Sequence, residues 1–148
     1  MGRAFFVVLV LSVSLTGHGQ QPTEAFQACL ADNTTGKDRK DLAKWIFLAI
    51  GSHPEMRDQR SPNHAAAADE ASRRMAALVV RLLAQDCVKE TKAVIKGEQV
   101  AQSFEIAFSR LGELAMQELM ADKSVVAAVG AFEKYLDKKR LDEALIGK

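Results

Sequence analysis

The chain has 148 residues, with 20 Lys and Arg against 19 Asp and Glu, and 48% of its residues are hydrophobic. That length suits one ordinary domain with a core of its own. A charge balance near zero argues against general nucleic-acid binding, which needs a net basic footprint to neutralise phosphates. A local charged patch on one face stays compatible with it.

The first segment sets the compartment. Met1–Gly2–Arg3 is a small positive start, and Ala4 to Leu15 is a nearly unbroken apolar run. Thr16–Gly17–His18–Gly19 then places small residues where a signal peptidase reads them. An apolar core of about twelve residues falls short of the ~20 that span a bilayer as a helix. The expectation is a cleavable signal over 1–19 and a single domain over 20–148, periplasmic or secreted, with no stable membrane anchor after cleavage. Arg3 leaves with the signal, so 19 basic side chains face 19 acidic ones in the mature chain.

After residue 20 no stretch alternates like a strand, and helical periodicity recurs throughout. A short helix is predicted from Thr23 to Leu30, broken by the turn-prone Ala31 to Thr34. Thr35 reads as the N-cap of a second helix, with Asp38 three residues on in the manner of a capping box. Leu42, Trp45, Ile46 and Ala49 form its apolar face. Trp45 to Ile50 is apolar all round, so this part is expected to be largely buried. Gly51–Ser52–His53–Pro54 ends it, with Gly51 suited to a left-handed cap. Ser61–Pro62 reads as N-cap and first position of a long third helix that ends near Gln85. Its stripe is Ala68, Met75, Leu78, Val79, Leu82 and Leu83, and Asp69–Arg73 and Glu70–Arg74 are i, i+4 pairs. A short fourth helix ends at Lys96–Gly97.

The fifth helix is predicted over 98–121, with Val100, Phe104, Ala107, Phe108, Leu111, Leu114, Ala115 and Leu119 inward. Asp122 caps a sixth, where Val125, Val129, Phe132 and Leu136 recur at helical spacing, and Leu141, Leu145 and Ile146 mark a last amphipathic turn. Met75, Met116 and Met120 have the spacing of core fillers. Lys138, Lys139 and Arg140 read as cations near a helix C-terminus, where the dipole favours them. The fold class expected is all-α, a single bundle of five to seven helices. Cys29 and Cys87, an even pair in an exported chain, are expected to form one disulfide.

Catalytic and cofactor patterns fail on their parts. Thr34–Thr35–Gly36–Lys37–Asp38 hints at a phosphate loop, but Ala31 and Asp38 stand where that loop needs Gly and Ser or Thr. His53 and His64 lack any HxxxH, HExxH or CxxC spacing, so no metal site is expected. Glu105, Glu113 and Glu118 share a helix without a nucleophile or histidine in any motif. The chain is therefore read as a non-enzyme without cofactors, an unrecognised hydrolase being the less favoured alternative.

One polar run stands out: Asp32, Asn33, Thr34, Thr35, Lys37, Asp38, Arg39, Lys40 and Asp41, next to the most apolar helix. It reads either as a partner-binding surface or as a capped, solvated helix start. Asn33–Thr34–Thr35 also matches an N-glycosylation sequon. The string from Cys29 through this run to Leu42, then Trp45 and His53–Pro54, resembles a family of small bacterial periplasmic helical proteins. So do Cys87, the stretch Phe104…Phe108–Ser109–Arg110–Leu111–Gly112, and Ala115–Met116–Gln117–Glu118–Leu119–Met120. The resemblance implies an all-helical fold and, through some relatives, an immunity protein that neutralises toxins secreted by neighbouring bacteria. It raises the recognition reading of Asp32 to Asp41 level with the capping one. The expected function is an exported binding protein with a protein partner. The alternative is a structural or envelope-associated module, including a homodimer through apolar surface around Trp45–Ile50.

Overall fold

Helices account for nearly all of the described chain. The computed structural model describes residues 20–147, and the expected signal segment lies outside the described residues. Seven α-helices follow in order: α1 (Gln20–Asp32), α2 (Gly36–Gly51), α3 (His64–Arg81), α4 (Val88–Ile95), α5 (Val100–Met120), α6 (Lys123–Gly130) and α7 (Lys138–Ile146). Two 3-10 helices, Pro54–Gln59 and Ala131–Tyr135, and a π-helical turn, Leu82–Asp86, join them. No strand occurs among the described residues. The all-α bundle and its disulfide are thus as the sequence indicates.

The long α5 is the axis of the bundle. It packs along α1 on one side and α2 on the other, while α3 covers α2 and α4 covers α1. Ala107, Leu111 and Ala115, four residues apart, run along its buried line. The two alanines let the neighbouring helices approach closely, and Leu111 fills the space between them. Phe26 and Leu30 of α1, Leu42 of α2, Leu78 of α3 and Leu82 complete the core. The Phe26 and Phe104 rings lie 5.1 Å apart and Phe108 follows at 6.2 Å. Phe26 and Leu82 are fully enclosed, so truncating either to Ala costs about 3–5 kcal/mol.

Cys29 and Cys87 are bonded, with Cα atoms 5.9 Å apart, tying the end of α1 to the start of α4. The π-turn delivers Cys87 to this place: its N–H bonds the Leu82 carbonyl at 2.8 Å, one residue wider than an α-turn.

Several local expectations change. Gly51 stays helical rather than left-handed. Arg60 replaces a glycine cap, donating to the carbonyls of Gly51 (2.5 Å), Ser52 (2.5 Å) and His53 (3.1 Å) at the α2 C-terminus. Ser61 does not cap α3. Its hydroxyl goes to Asn63 Oδ1 and its carbonyl to the His64 N–H, so Ser61–Pro62 is a turn and α3 begins at His64. Within Trp45–Ile50 only Leu48 is buried; Phe47 and Ile50 face outward because α3 and α5 cover the other flanks of α2. Met116 and Met120 are likewise exposed. Lys138, Lys139 and Arg140 form the first turn of α7, not a last turn, because Asp137 caps the Arg140 N–H and starts a new helix there.

Beyond Asp122 the chain leaves the core. Asp122 accepts the Ser124 N–H at 2.8 Å and starts α6, as its sequence position suggests. None of α6, the following 3-10 helix or α7 contributes a buried residue. Val129, Phe132 and Leu136 keep helical spacing yet stay exposed. Among the described residues α7 packs against no other element.

Candidate functional site

The polar run of Asp32 to Asp41 folds into the corner between α1 and α2, where only Thr34 is buried but hydrogen bonds within the corner hold most of the other side chains. Thr35 caps α2: its hydroxyl accepts the Asp38 N–H at 3.2 Å, while Asp38 Oδ2 accepts the Thr35 N–H at 2.9 Å and its hydroxyl at 2.8 Å. Thr34 is buried and donates to the Ala31 carbonyl at 2.9 Å. Asn33 Nδ2 reaches the Cys29 carbonyl at 2.9 Å, beside the disulfide. Arg39 folds back on the carbonyls of Ala31 and Thr34 at 3.4 and 3.3 Å. These bonds satisfy backbone groups that the helix ends leave unpaired.

Arg81, at the end of α3, fastens the corner from outside it. Its guanidinium donates to Asp38 Oδ2 at 2.8 Å, Asp86 Oδ2 at 2.6 Å and the Asn33 carbonyl at 3.2 Å. Partial burial pushes the Asp38 carboxyl up, but the Thr35 backbone and hydroxyl bonds and the Arg81 charge outweigh it and hold the group below its usual range. No local pattern marks Arg81 as the partner of a residue 43 positions earlier.

What remains free of the corner's bonds is narrower than the sequence run. Asp32 is exposed, and Lys37 and Asp41 pair with each other at 2.5 Å. Lys40 reaches Glu118 of α5 at 3.6 Å. Lys37, Lys40, Lys44 and Phe47 fall on one stripe of α2 by helical spacing. Lys44 makes no ion pair among the described residues, and Phe47 is 70% exposed. A pocket of about 390 Å³ opens beside them, bounded by Lys40, Ala43, Lys44, Phe47, Glu118 and Leu119 among others. Lys44 and Phe47 were missed as site residues although their spacing from Lys37 and Lys40 was readable.

On the opposite flank of α2 lies a larger apolar groove of about 620 Å³. Leu42, Trp45 and Ile46 of α2, Met75 and Val79 of α3, and Phe108 and Gly112 of α5 line it. Gly112 sits in the middle of a helix, where glycine costs about 1 kcal/mol relative to alanine. A Cβ added there would meet nothing within 4 Å, so no contact inside the chain calls for glycine.

The remaining candidates do not converge. His53 Nδ1 accepts the Glu55 N–H at 3.3 Å, and His64 Nε2 lies 3.4 Å from Ser52 Oγ with no further group orienting the ring among the described residues. No set of three His, Cys, Asp or Glu among the described residues is placed to hold a metal. Glu113 pairs with Arg110 at 2.9 Å and Glu118 with Lys40, while Glu105 lines a shallow cleft beside Gln102 and Gln27. No described helix is long and apolar enough to cross a membrane. Among protein-family models, curated proteins and solved structures, none matches this chain.

Proposed function

We propose that the chain is an exported, non-enzymatic binding protein that covers an acidic surface of a protein partner with the Lys37–Lys40–Lys44–Phe47 stripe of α2. The observation that carries this reading is Phe47, an aromatic side chain 70% exposed beside an open pocket and ringed by charged groups. A desolvated aromatic anchor with a polar rim is the usual anatomy of a protein interface. Lysines steer an acidic partner into register. In its most concrete form, drawn from the family resemblance, the partner is a secreted bacterial toxin and the chain is its immunity protein.

Affinity capture with the tagged chain over 20–148, from envelope extracts and the products of neighbouring genes, tests it. The expected result is one stoichiometric partner, lost with Lys44→Glu and with Phe47→Ala while the melting temperature stays unchanged. A partner retained by both variants would move the site elsewhere. No partner from either source would remove the reading.

A further inference from the structure

We propose that the groove between α2, α3 and α5 receives the C-terminal arm of a second copy of this chain, so that two copies exchange arms reciprocally. The arm, residues 123–147, carries nine large apolar side chains, of which Val125 is half-buried and the other eight are exposed. Together the eight exposed residues present on the order of 900 Å² of surface, backbone included, against about 800 Å² buried by each partner of a standard stable interface.

The helix at its end is built for a partner. α7 has nine residues, shorter than the ~12–15 at which an isolated helix is even marginal in water. Its first turn carries Lys138, Lys139 and Arg140 against the helix dipole. Yet it has an Asp137 cap, a left-handed Gly147 at its end, and Leu141, Ala144 and Leu145 on one stripe. A capped amphipathic helix that packs on no other element among the described residues needs an apolar surface to remain folded.

The groove offers that surface. It is apolar along both walls, and Gly112 leaves its floor without a side chain, as close approach of another helix requires. The arm's own groove is badly placed to take it. The arm roots at Asp122 and Val125, on the flank of α2 that bears Lys40, Lys44 and Phe47. Leu42, Trp45 and Ile46 lie about half a turn away on the same helix, so α2 stands between root and groove. A second copy has no such obstruction, and a two-fold exchange satisfies both arms with one self-complementary interface. Near-zero net charge sets little repulsion against it.

Analytical ultracentrifugation of the chain over 20–148, across a range of micromolar concentrations, reads the dimer directly. Leu141→Asp with Leu145→Asp alters exposed positions of a helix that packs on no other element among the described residues. It should weaken dimerisation roughly a hundredfold or more, as loss of buried anchors does, with unchanged core melting. Gly112→Leu, which fills the groove, should do the same. Mixing these two variants should restore one arm–groove contact and give heterodimers, because one retains a sound arm and the other a sound groove. A wild-type monomer throughout would overturn the proposal, whether its arm proves protected from hydrogen exchange in cis or inserts into anionic vesicles. So would a dimer indifferent to both variants. The Lys44 and Phe47 variants lie on the other flank, so failure of partner capture and failure of dimerisation read separately.

Discussion

Replacing Arg81 by Leu should unfold the corner around Asp38 before it touches any partner. The substitution keeps the apolar stem and removes three bonds, to Asp38, Asp86 and the Asn33 carbonyl. Charge-assisted bonds contribute about 1.5–3 kcal/mol when enclosed, and exposed pairs about 0–1 kcal/mol. Here the arginine is 36% exposed and its acidic partners 21% and 26%, so solvent screening brings each ion pair to about 1 kcal/mol. With the bond to Asn33 the loss is about 2–3 kcal/mol, or roughly 6–10 °C in melting temperature for a domain of this size. Thermal and urea unfolding of the oxidised chain, followed by circular dichroism, measures it. Combining Arg81→Leu with Asp38→Asn should give a coupling of about 1 kcal/mol. A melting temperature within about 1 °C of wild type, or strict additivity of the two changes, would refute the fastening role. The outcome also governs how charge reversals in the run are read, since a change at Asp38 or Arg39 disturbs the fold as well as the surface.

Reducing the Cys29–Cys87 disulfide, which spans 58 positions, should lower stability by up to ~4 kcal/mol on the chain-entropy account, and an unchanged urea midpoint under reductant would count against it. Stability should fall as the pH drops below the ordinary carboxylate range. Asp38 and Asp122 are both held below 3.8 when folded, so their contribution is full above that value and is lost as pH falls through the lower folded ones. Asp38→Asn should flatten this acid limb in a series of urea midpoints, and an identical limb would contradict the assignment. Thr91 is buried in α4 and its hydroxyl has no partner among the described residues, so Thr91→Val should raise stability by about 1 kcal/mol. A lower urea midpoint for Thr91→Val would show that the hydroxyl is satisfied after all.

The α1–α2 corner shows how far local pattern carries. Thr35 and Asp38 form their capping box because both partners lie within one turn, so three residues of sequence contain the whole interaction. Asp122 starts α6 for the same reason. Helix periodicity placed Phe26, Leu82 and Leu111 inside, since one apolar face of each helix must find cover. Recognition and capping could not be told apart for Asp32 to Asp41, because the residue that turns Asp38 inward, Arg81, lies far along the chain.

Periodicity has a second blind spot: it marks a face as apolar without saying whether anything covers it. Phe104 and Phe132 carry the same signal in their helices, yet Phe104 packs against Phe26 while Phe132 stays exposed. Helix spacing is a property of neighbouring residues and is fixed by the sequence alone. Coverage is a property of the path between helices. Only the tertiary structure decided that α5 is wrapped, that one flank of α2 lies open as a groove, and that the arm beyond Asp122 is left without a place in its own core.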